Sequence, residues 1–257
     1  MLIDGTYFNN NLCLIIYRDN SLRFTQLYRL TDGEWFEELA EDLQNLLDLG
    51  IQIESITCGK YLAIDIPEIT IPSGIHWIKG INGSGKTTLF KCVAAILSSE
   101  GEISIGKTVQ KKDPVVYRRQ VSYIEAEPLY PSFLSGNDLI QFTAKARQAD
   151  RDQVTELIDT LDISSFINHP VGSYSSGMLK KTALVMSFIG NSKLIILDEP
   201  LITIDALAVS RMIALIKSYR KQFGTSFLIS THQDFEKSDL AIDQIYNIHN
   251  AIIFSGQ

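Results

Sequence analysis

The chain is poor in what would carry it across a membrane or out of a cell. Its 257 residues include three cysteines, Cys13, Cys58 and Cys92. The count is odd and the spacing is not that of a metal site, so reduced structural thiols in a cytosolic protein are expected rather than a disulfide framework. No apolar run approaches the ~18 residues of a membrane-spanning helix. The N-terminus has no basic stretch followed by an apolar core, so no secretory leader is expected. Internal repeats, low-complexity segments and long like-charge blocks are also missing. Positive charge is in deficit. A net charge of −7 argues against a dedicated nucleic-acid binder. What remains is a length that suits one large α/β domain or a domain with an attachment, able to bury a core without staples.

The stretch around which the rest is arranged is Gly80-Ile81-Asn82-Gly83-Ser84-Gly85-Lys86-Thr87-Thr88. It fits Gly-x-x-x-x-Gly-Lys-Ser/Thr, a loop that cradles phosphate. Gly74 to Lys79 before it reads as a strand, and Leu89 to Leu97 after it reads as a helix. The glycines let backbone amides turn inward, and the helix N-terminus adds partial positive charge. Lys86 then reaches the β- and γ-phosphates, and the Thr87 hydroxyl is a ligand for Mg²⁺.

Residues 1–50 read as a separate module. Leu12 to Tyr17 and Leu22 to Leu30 are expected to form a hairpin, followed by an amphipathic helix carrying Trp35, Leu39, Leu43, Leu46 and Leu47. Nine acidic residues against three arginines give this piece most of the chain's negative charge. From Ile51 to Ile56 and Ile64 to Ile71 the alternation suits antiparallel strands. Residues 127–180 read as a helical insertion, with helices over Asn137 to Ala149 and Asp152 to Leu161. The runs Lys193 to Leu197 and Thr225 to Ser230 are continuously apolar, as in a parallel sheet covered on both faces. The helix Ala206 to Phe223 separates them, which predicts a doubly wound core.

The apolar strand Leu194 to Leu197 delivers Asp198 and Glu199 to its carboxyl end, where open α/β sheets bind ligands. Asp198 is suited to hold Mg²⁺, and Glu199 to polarise a water attacking the γ-phosphate. His232 ends the next strand and is a second candidate catalytic group. Ser175, Ser176 and Gly177 precede a helix over Leu179 to Phe188 and read either as its cap alone or as a second anion site. That site approaches from a different side than Lys86, so a second copy docked head to tail is expected to bring the two together.

In this order the motifs resemble the ATP-binding subunit of an ABC transporter over roughly residues 51–250. The resemblance implies a P-loop NTPase of α/β class: an ABC-type cassette with a mixed core sheet, an antiparallel β subdomain and a helical insertion. It implies a Walker A loop at 80–87, a Walker B strand with catalytic glutamate at 194–199, a D-loop aspartate at Asp205 and a switch histidine at His232. Tyr174-Ser175-Ser176-Gly177-Met178, followed by Lys180-Lys181, is similar to signature variants of exporter-type subunits. Two positions depart from the pattern. Ala126 stands where the family's Q-loop glutamine is expected, with only Glu125 and Glu127 nearby, so slow or altered hydrolysis or coupling is expected. Tyr61 is the nearest candidate for the adenine-stacking aromatic, set closer to the loop than usual, and reads equally as a sheet-surface tyrosine. The resemblance implies ATP and Mg²⁺ as ligands, an integral membrane permease and a second ATP-binding subunit as partners, and a peripheral place on the cytoplasmic membrane face. Homodimer and heterodimer both stay open. So do two other readings: a soluble ABC-type ATPase acting in assembly, and a low-turnover regulatory subunit.

Overall fold

The computed structural model describes residues 2–8, 12–19, 24–30, 69, 71–231, 239–249 and 252–255. The helix expected over 31–50, the strands expected over 51–56 and most of 64–71, Tyr61 and His232 lie outside the described residues.

Three strands open the chain: β1 (Leu2–Phe8), β2 (Leu12–Asp19) and β3 (Phe24–Leu30). They form an antiparallel sheet of their own, in the order β1-β2-β3. The hairpin expected from sequence is the β2–β3 pair, with Tyr17 opposite Gln26. Strand β1 is not expected from the sequence, because Asp4 and Gly5 in its middle disfavour strand.

The second sheet has six strands: β4 (Ile75–Lys79), β7 (Val121–Ile124), β8 (Leu194–Asp198), β9 (Ser226–Ser230), β10 (Gln244–His249) and β11 (Ile252–Ser255). Their order is β11-β10-β4-β9-β8-β7. All neighbours run parallel except β10 and β11. A two-stranded antiparallel ribbon, β5 (Ser104–Ile105) with β6 (Thr108–Val109), lies outside this sheet.

The apolar runs are explained by cores on both faces of the large sheet. Ile195, Leu197, Phe227 and Ile229 enter one core. Leu194, Ile196 and Leu228, the alternate positions, enter the other. The first core is shared with helices α3 (Gly136–Arg147), α4 (Arg151–Leu161), α5 (Ser176–Phe188) and α6 (Ala206–Phe223). The second is capped by α1 (Lys86–Val93) and α2 (Pro114–Gln120) through Leu89, Phe90 and Tyr117.

Helices α1, α5 and α2 depart most from expectation. Helix α1 stops at Val93 rather than Leu97, because Ala95 turns to φ 57° and the Ile96 and Leu97 amides both donate back to the Lys91 carbonyl. No glycine or proline marks that stop. Helix α5 starts three residues earlier than expected, with Ser175 rather than a later residue as its cap. Helix α2 was not foreseen, since Val115-Val116-Tyr117 favours strand.

Candidate functional site

The carboxyl ends of β4, β9, β8 and β7 lie side by side in the sheet, and each delivers a candidate group. The phosphate loop leaves β4 and turns into α1, whose N-cap is Gly85 at φ 105°. The loop is wound tightly. A Cβ on Gly80 would lie 2.5 Å from Ser84 Oγ and 2.7 Å from the Ile248 carbonyl, so the position demands glycine. Lys86 is 8% exposed and folds back along the loop, donating to the Gly80 carbonyl at 2.7 Å and to Ile81 at 3.1 Å. Burial holds its ammonium below the usual lysine range, and the Glu199 and Asp198 carboxylates oppose that shift.

Asp198 ends β8 almost fully buried, and three hydroxyls point at it. Thr87 donates to Oδ2 at 2.7 Å, Ser230 to Oδ1 at 2.6 Å and Tyr123 to Oδ2 at 3.5 Å. Ser230 is placed there by register, since it lies directly opposite Asp198 in the β8–β9 pair. Its hydroxyl also accepts from the Glu199 amide at 3.2 Å, and its carbonyl accepts from the same amide at 3.1 Å. Those bonds hold Glu199 at φ 46°, a left-handed conformation that costs a non-glycine residue roughly 1–2 kcal/mol. The sequence brought Thr87 and Asp198 into view; Ser230 was seen only as a neighbour of His232, and Tyr123 not as a site residue at all. Both follow from strand adjacency, which no local pattern encodes.

The residues fit a magnesium-bound triphosphate. Ser84 Oγ is buried on the phosphate loop without a hydrogen-bond partner among the described residues. Thr87 is exposed beside the Asp198 carboxylate, a pair of hard oxygen donors. Among the described residues no group of three or more His, Cys, Asp or Glu could hold a metal alone. A Mg²⁺ ion here would be held through one carboxylate and substrate phosphates.

Ser175, Ser176 and Gly177 sit apart from this cluster, at the N-terminus of α5. Ser175 caps the helix, accepting from the Met178 amide at 3.2 Å, and both serines are exposed. A Cβ on Gly177 would come within 2.7 Å of the Thr203 carbonyl, so the helix start backs directly onto the loop after β8. Asp205 in that loop caps α6 through the Ala208 amide at 2.8 Å and pairs with Lys181 of α5 at 2.7 Å. The Lys181 ammonium, followed by the Ala208 amide, holds the Asp205 carboxyl down at about 2.

At the end of β7, Glu125 is drawn to Lys91 of α1 at 3.2 Å, and Ala126 offers only its backbone. The two carbonyls there accept from Lys180, a fully buried lysine of α5 that the sequence reading noted only as part of a signature variant. A charged residue among Thr182, Ala183 and Leu184 on the buried side of a helix was the available signal.

Comparison with known proteins agrees with this geometry. The cytochrome c biogenesis ATP-binding export protein CcmA of Legionella pneumophila (strain Lens) is 32% identical over 166 residues, covering 63% of this chain and 80% of that protein. The lantibiotic transport ATP-binding protein SrtF of Streptococcus pyogenes is 28% identical over 196 residues, covering 75% and 83%. The solved structure of an ATP-binding subunit of an ABC transporter superposes with a TM-score of 0.69 at 22% identity, covering 79% of this chain and 88% of that one. A dimeric ATP-binding cassette in a post-hydrolysis state, bound to ADP and Pi, gives 0.66 at 16% identity over 79% and 95%. The ABC transporter family model matches residues 68–202. The chain belongs to the ABC transporter family, as an ATP-binding subunit.

Proposed function

We propose that the chain is a Mg²⁺-dependent ATPase that powers export through a separate integral membrane protein, working as a head-to-tail dimer on the cytoplasmic membrane face. The observation that carries this reading is the hydroxyl-lined Asp198, joined to the phosphate loop through Thr87 and to Glu199 through Ser230. Gly80, Asn82, Gly83, Ser84, Gly85, Lys86, Thr87 and Thr88 bind the triphosphate, with backbone amides and the Lys86 ammonium on its oxygens. Thr87 and Asp198 would hold Mg²⁺, which when bound neutralises developing phosphate charge. Glu199, fixed at the end of β8, orients and polarises the attacking water. Ser175, Ser176 and Gly177 of a second chain close over the same nucleotide. The exposure of Ser175 and Ser176 supports a role in trans. His232 and Tyr61 are retained as the switch histidine and adenine platform.

Export, rather than import, is supported by the name of the relative CcmA, an ATP-binding export protein; the name of SrtF supports transport. No helix among the described residues is long and apolar enough to cross a membrane, and the membrane-spanning part is proposed to come from a separate partner. Residues 1–50 are proposed as an extension with its own sheet, preceding the cassette at 51–257 and its helical part at about 127–180. The test is Glu199→Gln. With saturating ATP it is expected to elute as a dimer on a sizing column, and a monomer would overturn the sandwich. Lys86→Ala is expected to abolish nucleotide binding in calorimetry. A low-turnover regulatory role is favoured by one observation, the apolar Ala126; a rise in turnover in Ala126→Gln would support it.

A further inference from the structure

Lys180 is 0% exposed, yet among the described residues its ammonium pairs directly with no carboxylate. It donates to three backbone carbonyls: Ala126 at 2.7 Å, Glu125 at 2.9 Å and Asp198 at 3.4 Å. An ammonium has three donors and no acceptor, so the three carbonyls match its capacity. The three oxygens belong to different parts of the site. Two lie just beyond β7. The third belongs to the peptide that joins Asp198 to Glu199, the residue at φ 46°. Lys180 itself stands one helical turn into α5, whose first residues are Ser176 and Gly177.

Packing alone does not call for a lysine here. A methionine of similar length would fill the space without the desolvation cost of a buried charge. What methionine cannot do is hold three oxygens in fixed positions. The other side of the same segment is fastened as well, since the Glu125 carboxylate pairs with Lys91 of α1 at 3.2 Å. Ala126 has no polar side-chain atom, so its polar link to the rest of the site runs through its main chain.

We propose that Lys180 is a positioning residue for ATP hydrolysis: it ties the 125–126 segment and the Asp198–Glu199 peptide to the helix that carries Ser175–Gly177, so that the three move as one body. Lys91 completes the tie to the phosphate-loop helix through Glu125. The idea rests on the ATPase reading for its kinetic consequence but not for its structural one. The three oxygens that Lys180 holds lie outside the 80–88 loop, so its loss is expected to act on the alignment of Glu199 and to leave nucleotide affinity alone. Misplacement of a reacting group by about 1 Å can cost on the order of a hundredfold in rate.

The experiment compares wild type with Lys180→Met in the full chain, by steady-state MgATP turnover and by amide hydrogen exchange without nucleotide. The expected result is a kcat per folded molecule lower by about tenfold or more, with KM for MgATP within about twofold. Exchange is expected to quicken at 125–128 and 198–200 together, and Lys91→Gln to quicken it at 125–128 alone. A kcat per folded molecule within about twofold of wild type overturns the proposal, as does exchange unchanged in both segments. Should Lys180→Met not fold, Lys180→Gln, which keeps two donors, carries the same comparison. If wild type binds MgATP but never turns it over, the ATPase reading fails, while the exchange measurement still decides whether Lys180 holds the segments together.

Discussion

The Asp198 carboxylate shows how much of this site depends on single hydroxyls. Its environment is nearly dry, and its charge is balanced by donors from three different strands or helices: Thr87, Tyr123 and Ser230. Of these, Ser230 does the most. Its Oγ donates to Asp198 Oδ1 and accepts from the Glu199 amide, so one atom orients both candidate carboxylates. Ser230→Ala leaves a buried carboxylate oxygen without its shortest bond, which costs about 1–3 kcal/mol. For a chain of this size that is roughly 2–4 °C in Tm per kcal/mol, to be read from a thermal melt. Turnover is expected to fall further than the melt alone explains, because the left-handed Glu199 loses part of what holds it. Ser230→Thr, which keeps the hydroxyl, is expected to retain most of both.

At the scale of an element, helix α5 has two jobs. Its N-terminus is closed by Ser175, whose oxygen accepts from the Met178 amide, and the same exposed hydroxyl is the proposed donor to a phosphate held by a second chain. The two jobs separate by substitution. Ser175→Ala removes the cap, which costs about 1 kcal/mol in a thermal melt, and removes the donor. Ser175→Asp restores a good cap but places a carboxylate where a phosphate must sit. Both variants are expected to lose the ATP-dependent dimer of the Glu199→Gln background on a sizing column, and only Ser175→Ala is expected to lose stability. A dimer that persists with aspartate at 175 would remove Ser175 from the phosphate contact. What the sequence disclosed follows the same division. Contiguous features were legible: the loop from Gly80 to Thr88, the apolar β8 with Asp198 and Glu199 at its end, and helix α6 over Ala206 to Phe223. Features made by strands or helices meeting from far apart in the chain were not. Ser230 lies 32 residues from Asp198, and Lys180 lies 54 from Ala126. Nothing local to either residue says which oxygen it will face. The end of α1 at Val93 was hidden for another reason, since a left-handed Ala95 carries none of the residue signals of a helix stop.

For the whole molecule, the buried tyrosines set an alkaline limit. Tyr117 donates to the Val93 carbonyl at 2.7 Å, tying α2 to α1, and Tyr219 donates to the Phe188 carbonyl at 2.7 Å, tying α6 to α5. Burial pushes both phenols up, Tyr219 to about 12 and Tyr117 further. Burial, with Asp198 and Glu125 adding to it, does the same to Tyr123. A group whose folded pKa lies above its unfolded value stabilises fully below the unfolded value, about 10 for tyrosine, and that contribution drains away as pH climbs through the folded value. Lys180 has the opposite sign. Burial, opposed by Asp198, Glu199 and Glu127, brings its ammonium down to about 8, so the unfolded chain holds its proton more firmly between about 8 and 10.5 and stability from this group grows across that window. The two contributions meet near pH 10. Stability is therefore expected to hold or rise slightly from pH 8 to 10 and then to drop over the next two units. A pH series of thermal melts measures this directly. Tyrosinate absorbance supplies the control: the phenols of Tyr117, Tyr123 and Tyr219 are expected to ionise only as the chain unfolds, in step with the loss of helix signal. Ionisation of all ten tyrosines near pH 10 with the helix signal intact would mean that these three are not enclosed in the two cores.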